Sequence, residues 1–279
     1  MTRPGSMLLA LLALLAALVL AAGCGDDDDD DAGGGGGGEV PTIQEGTLTV
    51  GSDIPYAPFE FGDPPDYEGF DVDLVNEIAT RLDLEVKFQK TPFDTIFRDL
   101  AQGKFDMVAS STTITEERKR TVDFSDPYFV ANQSLMVKKG SDIQTVDDLD
   151  GKTVGAQIGT TGADYAKEET DAEEVRTFDL IDDAFQALAS GQVDAVINDF
   201  AVSKFAERSK ENLEVIQTLE TGEEYGFAFA KDSTELRQAV NPALREIKED
   251  GTYTRIYRKW FEEEPPPETF GPGGSPEGG

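Results

Sequence analysis

Between residues 40 and 262 the apolar positions follow two rhythms that alternate along the chain. The short apolar stretch Leu48-Thr49-Val50 and the alternating Leu84, Val86 and Phe88 read as strands, because successive strand side chains point to opposite faces. Leu74, Val75, Ile78, Ala79 and Leu82 recur at the spacing that lines one side of a helix, predicted over 70–82. Ile96, Phe97, Leu100 and Ala101 do the same over 93–102, with Gly103 as the stop. Further strands are predicted at 105–109, 134–138, 152–158, 193–197, 213–217 and 225–230. Helices are predicted at 163–169, 183–190, 201–210, 233–250 and 252–261. Strands separated by helices imply an α/β protein with parallel sheets and right-handed crossovers.

One pattern occurs twice. Residues 97–108 and 185–196 both read F-x-x-L-A-x-G-x-[FV]-D-x-V, a helix, a glycine stop and a strand. With a set of strands around each copy, the repeat predicts two lobes of similar build. Open α/β sheets bind ligands beyond the carboxyl ends of their strands. Extending the match places Ala109-Ser110-Ser111 opposite Ile197-Asn198-Asp199, so hydroxyls of one half would face a carboxylate of the other.

Composition narrows the chemistry. The chain has no histidine and a single cysteine, Cys24, which excludes histidine bases, Cys–His nucleophiles and the common zinc sites. A net charge of −32 argues against nucleic acid as a partner. Nothing in the sequence implies a metal or a cofactor. Arg3 and the apolar run 7–22 have the form of a signal segment. Ala21-Ala22-Gly23 before Cys24 resembles a lipoprotein signal, which implies that 1–24 is a signal peptide and that Cys24 carries the lipid. The usual leucine three places before the cysteine is here Ala21. Residues 25–39, with six aspartates and then six glycines, hold nothing that packs and read as a disordered tether. Residues 263–279, rich in Pro, Gly and Glu, read as a disordered tail.

Five stretches, in order, carry a wider resemblance: Tyr56-Ala-Pro-Phe-Glu-Phe61, Gly69-Phe-Asp-Val-Asp-Leu74, Thr113-Ile-Thr-Glu-Glu-Arg118, Asp123-Phe-Ser-Asp-Pro-Tyr128 and Gly155-Ala-Gln-Ile-Gly-Thr-Thr-Gly162. With them the chain resembles the polar amino acid-binding proteins of bacterial ABC importers, solute-binding protein family 3, with the periplasmic binding protein type II fold. The resemblance implies two α/β lobes joined by two hinge strands that cross near 130–132 and 221–224. Lobe 1 is then discontinuous, 40–131 and 223–262, and lobe 2 is 132–222. It implies a monomer, lipid-anchored outside the cytoplasm, that passes a free amino acid to an importer permease.

The resemblance also assigns a site. Arg118 looks like the clamp for the α-carboxylate of the solute, since a guanidinium matches a carboxylate with two parallel N–H bonds. Ser110, Ser111 and Thr113 look like its hydroxyl partners, and Thr160 or Thr161 would meet the carboxylate from the other lobe or cap a helix. Asp199 looks like the partner of the α-ammonium; its alternative is a helix cap. Tyr56 and Phe93 look like aromatic walls, or core. Asp53 faces the side-chain end and favours Lys, Arg, ornithine or an amide donor such as Gln over Asp or Glu. Gln157, where a small or apolar residue is usual, suits an amide or guanidinium. Two other readings share the fold. A dehydratase would need an acid such as Glu60 or Glu68, whose local sequence shows no sign of a raised pKa. A sensor domain would signal only through a partner.

Overall fold

The computed structural model describes residues 40–270. The expected signal segment, Cys24, the tether and the chain beyond 270 lie outside the described residues. In chain order the elements are β1 (Thr47–Ser52), the hairpin β2 (Phe61–Asp63) and β3 (Asp66–Glu68), α1 (Phe70–Arg81), β4 (Glu85–Lys90), α2 (Phe93–Ala101), β5 (Met107–Val108) and β6 (Val122–Phe124). There follow β7 (Phe129–Lys138), β8 (Thr153–Gln157), α3 (Thr161–Glu168), β9 (Glu174–Phe178), α4 (Ile181–Ser190), β10 (Ala195–Asp199) and α5 (Phe200–Ser209). The chain then forms β11 (Leu213–Tyr225), β12 (Ala228–Ala230), α6 (Thr234–Glu249) and α7 (Thr252–Phe261).

The predicted periodicities become buried faces. In α1 the residues Phe70, Leu74, Val75, Ile78 and Ala79 are buried, at the spacing read from the sequence. In β7 alternate side chains serve two core clusters: Met136 packs with Phe185 and Val196, whereas Leu135 and Val137 pack with Val154 and Ile197. Over Leu135, Met136 and Val137 that strand is therefore buried on both faces and reads as a short continuous apolar run.

Two five-stranded sheets form, in the orders β4-β1-β5-β12-β6 and β9-β8-β10-β7-β11. They match place by place. In each, the first three strands are parallel and the last two join antiparallel. The duplicated helix–strand units, α2–β5 and α4–β10, end in the third strand of their sheets. The sheets are thus mixed rather than wholly parallel. The reason is topological: β12 and β7 enter from connections without a crossover helix, so they run against their neighbours.

The long strands β7 and β11 tie the halves together. Their pairing runs from Lys138 with Leu213 to Phe129 with Tyr225, with a register shift between Leu219 and Glu223. The Phe129 and Tyr225 rings stack 5.4 Å apart, inside an aromatic cluster with Phe59, Phe70 and Phe261. One end of each hinge strand is therefore anchored in the first lobe while the rest builds the second sheet.

Part of the stretch expected to be a disordered tail from 263 is folded, as far as Phe270. Residues Pro267–Phe270 form a 3-10 turn with Thr269 buried. The Phe270 ring meets that of Tyr253 edge-on at 5.7 Å, and Lys248 Nζ donates to the Thr269 carbonyl at 2.6 Å. Proline and glutamate content concealed one aromatic anchor. Among the described residues no helix is long and apolar enough to cross a membrane.

Candidate functional site

The strands β1, β5, β8 and β10 all end at one place, and the segments after them face each other across the lobes. The eleven residues assigned from the sequence line a single narrow cavity there. Asp53 follows β1, Ser110 and Ser111 follow β5, Gln157 closes β8 and Asp199 closes β10. Tyr56 and Phe93 are buried, at 7 % and 8 % exposure. Placement beyond the carboxyl ends of parallel strands leaves the last side chains without a next turn to pack on, so they are free to line a cleft.

Arg118 spans the gap. Its Nη1 donates to the Thr113 carbonyl at 2.8 Å and its Nη2 to the Gly159 carbonyl, in the other lobe, at 3.1 Å. The guanidinium lies 5.2 Å from the Phe93 ring centre and 4.9 Å from that of Phe97, within cation–π range. Burial holds this guanidinium below its usual range, and the carboxylates of Glu223 and Asp199 oppose that fall. The Thr115 hydroxyl accepts from the Arg118 backbone N–H at 3.1 Å.

Asp199 stands at the N-cap position of α5, yet its side chain caps nothing. Its Oδ2 accepts from the Tyr56 hydroxyl and its Oδ1 from Gln133 Nε2, both at 2.5 Å. Burial raises its pKa to about 6, helped by Glu223 and opposed by hydrogen bonds from Tyr56, Tyr225 and Gln133. Tyr56 is therefore both an aromatic wall and a donor across the cleft. At the far end Asp53 Oδ2 accepts from Gln157 Nε2 at 2.5 Å. Burial also takes Asp53 to about 6, with the Gln157 bond and Lys90 pulling down and Asp94 and Asp179 pushing up.

The hydroxyls divide. Ser111 Oγ is buried without a partner, an open position on the cavity wall. Thr160 Oγ1 accepts from the Ala163 N–H at 3.1 Å and donates to the Gln157 carbonyl at 2.8 Å, so it is occupied as the cap of α3. Thr113 and Thr161 donate to one carboxylate oxygen, Oε2 of Glu223, at 2.7 and 2.8 Å.

Sequence reasoning missed Glu223, Gln133 and Asn198, whose amide oxygen accepts from Tyr56 at 3.1 Å. Gln133 Nε2 also donates to Glu223 at 3.0 Å. One signal was available: the polar run Asn132-Gln133-Ser134 leading into the apolar stretch 135–137. Glu60 needs correction too. It is fully buried and burial pushes its pKa well up, with the Asp71 charge second, but it sits behind Ser110 rather than on the cavity wall. Glu68 is exposed and does not line the cavity.

The model for bacterial extracellular solute-binding proteins, family 3, matches residues 48–263. The chain belongs to that family. Among relatives, the L-cystine-binding protein TcyJ of Escherichia coli K12 is 34% identical over 222 residues, covering 78% of this chain and 84% of that protein. The ABC transporter glutamine-binding protein GlnH of Bacillus subtilis is 38% identical over 202 residues, covering 71% and 74%. A solved ancestral arginine-binding protein bound to glutamine superposes with a TM-score of 0.75 at 44% identity, covering 79% of this chain and all of that one. Family membership makes this an extracytoplasmic solute-binding protein, and the matching structure has its two-lobed fold.

Proposed function

We propose that the cleft captures one zwitterionic L-amino acid with a basic or amide side chain, closes on it, and presents it to an ABC importer. The observation that carries this reading is the pairing of Arg118 and Asp199, from different lobes, on the walls of one small cavity. A guanidinium and a carboxylate so placed complement the two charges of an α-amino acid. Asp53 at the far end, bridged to Gln157, supplies acceptors for a cation or an amide N–H2. The relatives and the solved structure bind cystine, glutamine and arginine, solutes with the same charged head group and a polar end. We read the protein as a binder rather than a dehydratase, since Arg118 and Asp199 together complement a zwitterion and Glu60 lies off the cavity wall. A lipid on Cys24 would hold the monomeric folded body at the membrane surface.

Isothermal calorimetry against the twenty protein amino acids, ornithine and citrulline tests the proposal. Heat is expected with arginine, lysine, ornithine or glutamine at a Kd of about 1 μM or below. Arg118→Ala and Asp199→Ala should each abolish it, because truncating one partner of a buried charge pair costs roughly 2–5 kcal/mol. Silence with every solute would remove the function; an unaffected variant would remove that residue from the site. For the anchor, Cys24→Ala should release the protein from membranes into the medium.

A further inference from the structure

Two carboxyl groups with no solvent contact lie directly behind the cavity wall. Glu60 and Asp71 are both 0 % exposed. Asp71 is in the first turn of α1, brought against the Glu60 segment by Gly69. Gly69 has φ 140°, and a Cβ there would stand 2.0 Å from the Phe59 carbonyl oxygen, so only glycine allows this approach.

Each carboxyl supports one of two consecutive wall residues. Glu60 Oε1 accepts from the Ser110 hydroxyl at 2.9 Å, and that hydroxyl accepts from the Asp53 backbone N–H at 2.9 Å. Asp71 Oδ2 accepts from the Ser111 backbone N–H at 3.0 Å and from the Tyr128 hydroxyl at 2.7 Å. Ser111 needs such support, because its φ of 47° lies in the left-handed region that a side chain disfavours. The other two oxygens, Glu60 Oε2 and Asp71 Oδ1, are buried without any donor. Leaving both as bare anions is costly, whereas one proton on the pair removes one of the two buried charges.

We infer that Glu60 and Asp71 share a proton and act as a positioning pair, holding the Ser110–Ser111 segment in its binding shape without touching the solute. The groups facing the pair point the same way. Glu60 feels Asp71, Asp53 and Asp199, with Ser110 its hydrogen-bond partner, and Asp71 meets Ser111 and Tyr128. Tyr56 and Tyr128 are the phenols beside them. Burial, with the Asp71 charge added, pushes Glu60 well up, and burial takes Asp71 to about 7.

Glutamine at 60 would reproduce the arrangement: its carbonyl accepts from Ser110 and its N–H2 stands where the proton was. The test compares wild type, Glu60→Gln and Glu60→Ala as full-length chains, by calorimetry with arginine and glutamine and by thermal melting from pH 5 to pH 8. Glu60→Gln should bind within about 3-fold of wild type, and Glu60→Ala about 10-fold more weakly or worse, on the scale of a lost buried hydrogen bond. The melting readout has its own sign. A raised folded pKa contributes stability that is full below the unfolded value of 4.5 and is lost as pH rises through the folded one. Glutamine cannot lose it, so Glu60→Gln should gain in Tm over wild type as pH rises from 5 to 8. A Glu60→Gln variant that binds as poorly as Glu60→Ala, an alanine variant that binds like wild type, or a Tm difference that ignores pH would each overturn the inference. If Glu60→Ala does not fold, the glutamine variant decides alone. The binding arm rests on the amino acid reading. Wild type that binds neither probe would fail that reading, while the melting arm would still judge the pair.

Discussion

In the proposed complex, Asp53 is the residue on which solute choice would turn. Its carboxylate already accepts from Gln157, and its other oxygen is left to meet the end of a solute side chain. Asp53→Asn should lower arginine affinity by about 10- to 100-fold, since a charge-assisted bond at a buried site is worth roughly 1.5–3 kcal/mol. Glutamine affinity should change by no more than about 3-fold, because an amide donor accepts either partner. Competition calorimetry with the two solutes reads the ratio; equal losses would take Asp53 out of selectivity. Tyr56→Ala removes both a wall and the hydroxyl on Asp199, so every solute should weaken by about 10-fold without binding being lost. The residues that motif and duplication point to were all legible in the sequence. Glu223 was not, because its carboxylate accepts from Thr113 and Thr161, 110 and 62 positions away, and Gln133 showed only as a polar residue ahead of an apolar stretch.

At the scale of elements, Glu223 belongs to β11 but its carboxylate accepts from Thr113 of the first lobe and Thr161 of the second. The hinge strand thereby links the lobes with no solute present. Glu223→Ala should open the ligand-free protein, seen as a larger radius of gyration in small-angle scattering, and leave the solute-bound radius unchanged. No difference in the free form would mean that the other links, from Arg118 to Gly159, from Gln157 to Asp53 and from Tyr56 to Asp199, suffice. The elements themselves were read unevenly. Helices with one apolar face, such as α1 and α2, appear where the spacing put them, and the glycine stops hold: Gly103 has φ 70° and Gly191 has φ 78°. β6, β9 and the β2–β3 hairpin went unread. The burial of β9 is only intermediate or exposed, so it lacks the alternation that marks a strand. Strand direction was hidden for another reason, since it depends on which distant strand is the neighbour.

For the whole molecule, the proposed capture of a solute should be coupled to proton exchange at Asp53 and Asp199. Asp53 and Asp199 both sit near pKa 6 in the ligand-free protein because burial disfavours their charged forms. A raised folded pKa means stability that is full below the unfolded value and is lost as pH rises through about 6. The solute reverses this. In the proposed complex its ammonium would pair with ionised Asp199, and a basic side chain with ionised Asp53, so the bound form would prefer the deprotonated carboxylates. Affinity should therefore fall as pH drops below about 6, by up to roughly 10-fold per pH unit for each carboxylate coupled to the solute. The increase in Tm caused by a saturating basic solute should be larger at pH 8 than at pH 5. The net charge of −32 makes the chain repel itself more as pH rises, but that effect is common to the bound and free forms and cancels in the increment. An equal increment at both pH values would show that neither carboxylate changes its proton on binding. The solute's positive groups would then have to be held elsewhere than at residues 53 and 199.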